Sequence, residues 1–513
     1  MVPKIRILRS GQLICETTGV PGEMLLARIS AAGAFIDAPC GGNGRCGKCL
    51  VRLSPGGEQV LACQTPVDGD IDVYIPGEAE MDIADSGVIA DRAPAVEPPR
   101  NMKLGVAIDI GTTTVVAHLT DLTTGQRIAT ASGANAQRSY GADVISRIQH
   151  CADNGHDTLT RLIREQISSL IRRACAISGQ RARDIGYLSI AANTIMEHLA
   201  AGYSPVGMGA APFLPITLFG GEFPAWEGLA ASKSAKVYYA PAISSYVGGD
   251  ITAGMLASGL KDAGGPAIYL DIGTNGEIVL KYGDTYYCCA AAAGPAFEGA
   301  EITMGMAAVS GAINHVEWDN GLKISVIGNG MPYGACGSGL LDALALLVQS
   351  GAVDETGRLL DAGGIDGEIA GHIDKIEGNN VFWLTRDGGG VYISASDVRK
   401  LQLAKSAIAA GIQTLLSHVG ITEEQVKLFV LAGGFGSFMN QYSAAQIGMF
   451  PTCFLPVTQT LGNTAGEGAA LALLSESTRA KLEDIRNRCV YIELSTNPVF
   501  RDQFVEQMTF DIT

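Results

Sequence analysis

One glycine-rich turn of the form Asp-Ile-Gly-Thr occurs twice in this chain, in residues 107–114 and 269–276, so that Asp109 and Asp271 occupy matching places. In each copy a short apolar run predicts a buried strand that ends at the turn. Glycine lets backbone N–H groups approach a bound phosphate, Thr hydroxyls are further donors, and a carboxylate can hold Mg²⁺ through water. The repeat therefore predicts two equivalent lobes with a nucleotide between facing turns.

The charge balance excludes several classes of partner. The 52 Asp and Glu residues against 36 Lys and Arg give a net charge of −16, whereas nucleic acids and acidic membranes attract clustered Lys and Arg. No apolar run approaches the roughly 20 residues that span a bilayer, and the N-terminus lacks the apolar core of a signal peptide. We expect a cytoplasmic protein with no nucleic-acid or membrane partner.

Four of the 12 cysteines cluster in the N-terminal part of the chain, namely Cys40, Cys46, Cys49 and Cys63. Their spacing, C-x5-C-x2-C-x13-C on a glycine-rich loop, allows the thiolates to converge on one inorganic core. We interpret them as the ligands of a 2Fe-2S cluster. A tetrahedral zinc site is the alternative, but the paired CxxC knuckles of such sites are missing. The remaining cysteines lie in mostly apolar surroundings and are interpreted as structural.

The domain organisation follows from a shift in composition at 77–103. This segment contains Pro and acidic residues without apolar periodicity, so it predicts a linker. It separates a cluster domain, residues 1–76, from two lobes at 104–265 and 266–513, and we expect the C-terminal part of the second lobe to return to the first. In both lobes apolar runs end in glycine-rich or Asn/Thr turns, a pattern typical of α/β sheets that bind ligands at the carboxyl ends of their strands.

A long helix is predicted from residue 394 onward. Ser394 and Asp397 have the spacing of a capping box, an apolar stripe follows at helical spacing, and Gly420 would end the helix. Residues 351–393 before it predict hairpins with little chemistry.

The turns supply the candidate nucleotide-binding residues. Asp109 and Asp271 are predicted to hold Mg²⁺ or its waters, and simple turn capping by either carboxylate is the alternative. The two phosphate turns are predicted to bind phosphate through backbone groups and hydroxyls, although the same residue types suit an ordinary turn. Glycines at 433–436 would leave room for adenine or ribose. The predicted residues other than the two Asp are Gly111, Thr112, Thr113, Thr114, Gly273, Thr274, Asn275, Gly276, Gly433, Gly434 and Gly436.

Five glycine-rich turns in this order resemble those of the ASKHA superfamily, which includes sugar kinases, actin and Hsp70 chaperones. The two Asp-Ile-Gly-Thr turns are similar to its phosphate loops, residues 193–194 to its first connecting turn, 433–434 to its adenosine loop and 462–468 to its second connecting helix. The resemblance implies a two-lobed α/β ATPase.

The same resemblance suggests catalytic residues. Asp250 lies where sugar kinases of this superfamily carry their general base, so it is a candidate to orient or deprotonate the attacking water. Asn193 is a candidate to orient the same water. For both residues a helix N-cap is the alternative.

A cluster domain joined to such an ATPase resembles one family in particular, the reductive activators of corrinoid proteins. Similar phrases recur at residues 140–147, 193–198, 244–250, 293–299 and 336–339. The resemblance implies an N-terminal α+β ferredoxin-like domain of the β-grasp type, followed by a two-lobed α/β ASKHA ATPase domain. Longer members carry an additional middle domain after the linker, for which the linker here leaves no room.

The family resemblance implies a function. A member would use ATP to pass a low-potential electron from its 2Fe-2S cluster to the Co(II) corrinoid of a corrinoid protein in a methyltransferase system, which regenerates Co(I). The implied cofactors are the cluster, ATP and Mg²⁺. The implied partners are that corrinoid protein and an upstream electron donor, either ferredoxin, flavodoxin or a reductase. Whether two copies form a homodimer stays open.

Three other functions fit the same residues. The chain could be an ATP-driven electron donor to another low-potential metalloprotein, or a chaperone-like binding module with a structural cluster. It could also be a small-metabolite kinase with a redox-sensing cluster, which predicts a polar pocket near Asp250. Residues 210–216 and 290–296 supply few polar groups for such a pocket.

Overall fold

The computed structural model describes residues 2–9, 11–32, 34, 36, 38, 42, 44, 49–54, 57–76, 102–387 and 390–510. Cys40 and Cys46 of the predicted cluster, and residues 77–101 of the predicted linker, lie outside the described residues. In the part of the chain that is described, no helix is long and apolar enough to cross a membrane.

The N-terminal domain is one mixed sheet with a helix packed on it. Its elements are β1 (Lys4–Arg9), β2 (Gln12–Thr18), α1 (Leu25–Ala31), β3 (Leu50–Ser54), β4 (Gln59–Leu61) and β5 (Ile71–Ile75). The strand order is β2-β1-β5-β3-β4, with β1 parallel to β5 and antiparallel to β2. Leu25 and Ile29 of the helix share a buried core with Ile5 and Ile7 of β1. This is the β-grasp arrangement that the resemblance implied.

The first lobe is a six-stranded sheet of order β10-β11-β9-β6-β7-β8, covered by helices. Its elements are β6 (Leu104–Ile110), β7 (Thr114–Asp121), β8 (Arg127–Ala134), α2 (Val144–Asn154), α3 (Asp157–Ser178), β9 (Ile185–Ala192), α4 (Thr194–Ala201), β10 (Gly221–Pro224), β11 (Lys236–Tyr239) and α5 (Gly249–Ser258). Side chains alternate across a strand, and on β6 Val106 and Ile108 pack with Ile163 of α3. Ala107 faces the other way, and Asp109 shares that side of the sheet.

The second lobe is built around another six-stranded sheet, of order β22-β21-β12-β13-β14-β23. Its elements are β12 (Ala267–Ile272), β13 (Gly276–Tyr282), β14 (Thr285–Ala291), β15 (Ala312–Trp318), β16 (Leu322–Val326), β17 (Gly334–Ala335), α6 (Gly337–Gln349), β18 (Ile373–Ile376), β19 (Asn379–Thr385), β20 (Val391–Ser394), α7 (Ala395–Val419), β21 (Leu428–Ala432), α8 (Gly433–Gly436), α9 (Gln441–Gln446), β22 (Thr458–Thr460), α10 (Thr464–Leu474), α11 (Glu476–Asn487), β23 (Cys489–Tyr491) and α12 (Pro498–Glu506). Strands β15–β17 and the antiparallel β18–β20 form two small additional sheets.

The two large sheets repeat one topology. In the first lobe β6, β7 and β8 form an antiparallel meander, and β9 lies parallel to β6 on its other side. In the second lobe β12, β13 and β14 form the same meander, and β21 lies parallel to β12. The phosphate turns connect β6 to β7 and β12 to β13, so they occupy equivalent places. The predicted two-lobed α/β fold is confirmed.

The C-terminal part of the chain returns to the first lobe through α10. This helix packs on α5 and also contacts β6 and β9. Its small residues permit a close approach, and a Cβ at Gly468 would collide with the backbone of Ala253 in α5. Ala469 and Leu473 are buried together with Ala107 of β6.

The predicted capping box opens α7. The Ser394 hydroxyl accepts a hydrogen bond from the Asp397 N–H (3.2 Å), and the Asp397 carboxylate accepts one from the Ser394 N–H (3.0 Å). The helix ends at Gly420, whose φ of 70° places it in the left-handed region that favours glycine.

Ser394→Ala is expected to destabilise the protein by about 1 kcal/mol, because the first turn of α7 loses a side-chain acceptor for a backbone N–H. Urea unfolding measures the change. Ser417→Ala, at an exposed position near the end of the same helix, is the matched control and is expected to be neutral or slightly stabilising. Equal effects of the two substitutions would contradict the capping role.

Candidate functional site

A cavity of about 320 Å³ lies between the two lobes. Both phosphate turns line it, together with the start of α5 in one lobe and the turn after β21 in the other. Of the nucleotide-site residues predicted from the sequence, all but Gly276 and Gly436 belong to its lining. Gly276 packs instead against α7, where a Cβ would lie 3.0 Å from Cγ1 of Ile408. The structure thus brings the predicted residues together at one place.

Two glycines of the turns have a direct steric explanation. At Gly111 a Cβ would lie 2.8 Å from the carbonyl oxygen of Thr114, which accepts the hydrogen bond from the Gly111 N–H at 2.9 Å. At Gly433 φ is +86°, and a Cβ would collide with Oδ1 of Asp271. A side chain at either position would therefore force the turn or its neighbours to shift.

The hydroxyls of the two turns meet at a carboxylate that the sequence analysis did not select. Thr113 Oγ1 donates to Oε2 of Glu298 at 2.5 Å, and Thr274 Oγ1 donates to Oε1 at 2.9 Å. A further hydrogen bond fixes the first turn, because the buried guanidinium of Arg147 donates to the carbonyl oxygen of Thr112 at 2.6 Å.

Asp109 and Asp271 end equivalent strands and face each other across the cavity. The Asn463 side-chain amide donates to Oδ2 of Asp109 at 2.8 Å, and the Tyr269 hydroxyl donates to Oδ2 of Asp271 at 3.1 Å. Both carboxylates keep some accessible surface because they line the cavity, yet protein surrounds them. Burial raises the pKa of Asp109 to about 7 and that of Asp271 to about 6, and the neighbouring Asp271 charge adds to the rise at Asp109.

Two further carboxyl groups belong to the same cluster. Burial raises the pKa of Asp250 to about 8, and the charges of Asp271 and Asp109 act in the same direction. Burial and the charges of Asp250 and Asp271 also raise the pKa of Glu277, on β13, well above its usual value. Enclosed carboxyl groups keep their protons to a higher pH than exposed ones, and a divalent cation would replace those protons. The donor set therefore fits Mg²⁺, which prefers oxygen ligands.

The two predicted catalytic residues occupy different positions in their helices. Asn193 is the N-cap of α4, since its Oδ1 accepts from the Met196 N–H at 3.0 Å, while its amide donates to Thr112 Oγ1 at 3.2 Å. It is thus both a helix cap and a neighbour of the first phosphate turn. The N-cap of α5 is Gly248, so Asp250 lies in the first turn of that helix with Oδ1 bonded to the Ile251 N–H at 2.8 Å.

Aromatic side chains form the wall of the cavity at the Gly433 end. Phe297 and Phe435 stack with their ring centroids 5.1 Å apart and an interplanar angle of 16°. Phe438, which is 52% exposed, extends the apolar wall. A flat apolar surface beside a glycine turn suits a planar base, which agrees with the predicted adenine or ribose subsite.

Sequence reasoning missed Glu298, Asn463, Glu277 and Tyr269. Each one lies inside or next to a glycine-rich phrase that was recognised, so position relative to those turns was the available signal. Asn463 also precedes a helix and caps it through the Gly466 N–H (2.8 Å), a role that Asn commonly has.

Two of the four predicted cluster ligands are described. Cys49 and Cys63 are 1% and 9% exposed. Cys49 comes just before β3, and Cys63 follows β4 closely. The two strands pair antiparallel, and the Ala62 N–H donates to the Cys49 carbonyl at 2.9 Å. The hairpin therefore brings two cysteines with 13 residues between them, the C-x13-C spacing, to the same edge of the sheet, as a shared cluster requires.

Three family models match the chain. The 2Fe-2S iron-sulfur cluster binding domain matches residues 11–68. The middle region of RACo matches residues 104–263, which form the first lobe described above. The C-terminal ASKHA domain of RACo matches residues 265–513.

Relatives match over nearly the whole chain. The corrinoid activation enzyme RamQ of Eubacterium limosum is 30% identical over 589 aligned residues, which cover 97% of this chain and 98% of that protein. This chain belongs to the family of reductive activators of corrinoid proteins. A solved structure of a reductive activator for a corrinoid, iron-sulfur protein has a TM-score of 0.72 at 30% identity and covers 99% of this chain and 98% of its own.

A more distant relative is the [Co(II) methylated amine-specific corrinoid protein] reductase of Methanosarcina barkeri. It is 24% identical and covers 79% of this chain and 77% of its own length. Membership of the activator family confirms the predicted 2Fe-2S cluster over zinc, and it confirms ATP and Mg²⁺ as the cofactors of the ASKHA part.

Asp250→Asn is expected to stabilise the nucleotide-free activator at neutral pH. The folded protein holds a proton on Asp250 up to a pKa of about 8, whereas an unfolded Asp loses it near pH 4. Between these values the folded state binds more protons, so the free energy of unfolding of the wild type falls as pH rises. Asn does not titrate, and the advantage of the variant therefore grows over this range.

Urea unfolding in EDTA at several pH values between about 4 and 8 measures this difference. Asp284→Asn, at a fully exposed carboxylate, is the control and is expected to show no such growth. A stability difference for Asp250→Asn that stays constant with pH would contradict the raised pKa.

Proposed function

We propose that this chain is an ATP-dependent reductive activase. It passes one electron to the Co(II) corrinoid of a corrinoid protein that serves a methyltransferase system, and thereby regenerates Co(I). The observation that carries the proposal is the union, in one chain, of a cluster-binding domain with a two-lobed nucleotide cleft whose turns and carboxylates come from both lobes. Relatives named as corrinoid activation enzyme and as Co(II) corrinoid protein reductase support the same partner.

The reaction explains why an electron carrier needs ATP. A plant-type 2Fe-2S cluster supplies electrons near −400 mV, and Co(I) is a stronger reductant still. Each ~59 mV uphill lowers the one-electron equilibrium constant tenfold. Nucleotide binding can offset this only if it favours a conformation in which the docked corrinoid is easier to reduce.

The residues of the cleft divide this task. Asp109 and Asp271 would hold Mg²⁺ or its waters, and the turns that begin at Gly111 and Gly273 would bind phosphate through hydroxyls and backbone N–H groups. Asp250 and Asn193 would orient the attacking water. Because one phosphate turn belongs to each lobe, a bound nucleotide joins the lobes, and their closure would move a docked partner.

We place the ferredoxin-like domain at residues 1–76, the linker at 77–103 and the lobes at 104–265 and 266–513. Cys40, Cys46, Cys49 and Cys63 would be the cluster ligands. A ferredoxin, a flavodoxin or a reductase would recharge the cluster in the cytoplasm, and association of two copies is compatible with the scheme.

The decisive experiment uses the full-length protein, reduced anaerobically, with a Co(II) corrinoid protein as substrate. Formation of Co(I) is followed by its absorbance with and without MgATP. We expect reduction that depends on ATP. Reduction at the same rate and extent without nucleotide, or none with any corrinoid protein offered, would overturn the proposal.

Two substitutions should separate the two halves of the activity. Cys49→Ala is expected to abolish the visible spectrum of the cluster while ATP hydrolysis persists, because the cleft is intact. Asp271→Asn is expected to do the reverse, because a metal-binding carboxylate is lost and the cluster is untouched. Absorbance spectra and phosphate release measure the two effects.

Matched controls are available for both variants. Cys453→Ala changes an exposed cysteine outside the predicted cluster, and Asp284→Asn changes an exposed carboxylate. Both should keep the cluster and the ATPase activity. Loss of both properties in either test variant would mean that the two halves do not fold or work separately.

A further inference from the structure

The carboxylate of Glu298 occupies an unusual position between the two phosphate turns. It accepts one hydrogen bond from each lobe. Oε2 accepts from the Thr113 hydroxyl (2.5 Å), and Oε1 accepts from the Thr274 hydroxyl (2.9 Å). These two hydroxyls were predicted to bind phosphate oxygens. The Glu298 carboxylate therefore accepts hydrogen bonds from the same hydroxyls that a bound phosphate would need as donors.

The surrounding structure fixes Glu298 in this place. It ends a short 3-10 turn, Pro295–Glu298, whose Phe297 is buried and stacked on Phe435. The next residue, Gly299, has a φ of +73°, and a Cβ there would collide with the backbone of Met306. The position of the carboxylate thus follows from packing on both sides of it.

A positive charge lies close to this carboxylate. The guanidinium of Arg147 is buried and donates to the carbonyl oxygen of Thr112 at 2.6 Å. Burial lowers the pKa of Arg147 to about 9, and the charges of Asp143 and Glu298 oppose that fall. Arg147 therefore acts on both groups: it donates a hydrogen bond to the first phosphate turn, and its positive charge attracts the Glu298 carboxylate.

We infer that Glu298 is a further catalytic residue of the ATPase reaction, a role that rests on the proposed function. Without nucleotide its oxygens accept hydrogen bonds from the Thr113 and Thr274 hydroxyls. When ATP binds, phosphate oxygens accept the hydrogen bonds of these hydroxyls instead. The released carboxylate then accepts a hydrogen bond from the water beside the γ-phosphate.

Hydrolysis then transfers the γ-phosphoryl group from ADP to the water. The water oxygen forms a bond to the γ-phosphorus, and the bond from that phosphorus to the bridging oxygen of ADP breaks. A proton of the water passes to the Glu298 carboxylate and from there to solvent. The products are ADP, inorganic phosphate and one proton.

Glu298 and Asp250 differ in their surroundings. Asp250 lies on the side of Asp109 and Asp271, whose charges act on it, and one of its oxygens is bonded to the Ile251 N–H. Glu298, among the described residues, is a carboxylate that accepts hydrogen bonds from both phosphate turns. Its position at the hydroxyls of both turns places it beside the terminal phosphate rather than beside the metal-binding pair.

Glu298→Gln separates a catalytic role from a structural one. The amide is neutral and accepts a proton poorly, so kcat for ATP hydrolysis is expected to fall about 100-fold. The Kd for ATP should stay the same or decrease, because the competing negative charge is gone. A residue that merely holds the turns would instead raise Kd or KM and leave kcat near that of the wild type.

The experiment measures phosphate release and binding of a fluorescent ATP analogue on the full-length protein without any corrinoid protein. Glu301→Gln, an exposed carboxylate three residues away, is the control and should match the wild type. Thermal unfolding and the cluster spectrum establish that each variant is folded. Glu298→Asp, with a shortened carboxylate, is the second variant if the Gln protein is unfolded, and its kcat should also fall.

The outcomes are distinguishable. A wild-type kcat in folded Glu298→Gln, or a raised Kd as its main defect, would overturn the catalytic role while the proposed function stands. A wild-type protein that binds ATP but never hydrolyses it would also overturn the catalytic role, whereas the proposed function is overturned only by the assay of Co(I) formation. A fall in kcat with an unchanged or lower Kd would establish the role.

Discussion

The enclosure of acidic side chains between two lobes is the constraint on which this structure depends. Asp109, Asp250, Asp271 and Glu277 line or adjoin one cavity, and within the described residues no Lys or Arg forms an ion pair with them. Such groups either keep their protons or require a cation. The oxygen atoms of these carboxyl groups form a donor set that suits Mg²⁺, whose charge would offset theirs. Stability and function are in opposition here, as is common where active sites are built.

The start of α10 links the two halves of this cluster. Asn463 caps the helix and donates to Asp109 of the first lobe. The next residue, Thr464, exchanges a hydrogen bond of 2.8 Å with the Tyr269 hydroxyl, which also contacts Asp271 of the second lobe. One helix terminus thus contacts both strand ends, while the body of α10 packs on the first lobe. A change in the distance between the two aspartates must be accommodated at this point.

The sequence was informative where structure is local. The repeated turns, their strands and the capping box at Ser394 depend on neighbours within a few residues, and the structure has them as predicted. Glu298 and Asn463 could not be found in this way, because their partners Thr113 and Asp109 lie 185 and 354 residues away in the chain.

One more carboxyl group, that of Glu197, extends the acidic cluster into the core of the first lobe. Glu197, on α4, is fully buried, and neither of its carboxyl oxygens has a hydrogen-bond partner in the described part of the chain. It lies against the start of α5, where a Cβ at Gly249 would collide with its Oε1. Burial, and secondarily the Asp250 charge, raises its pKa well above the usual value. Ionised Glu197 and ionised Asp250 would repel each other, so their enclosure favours protonation of the pair. Glu197 thus connects the carboxyl groups of the cleft with the contact between α4 and α5.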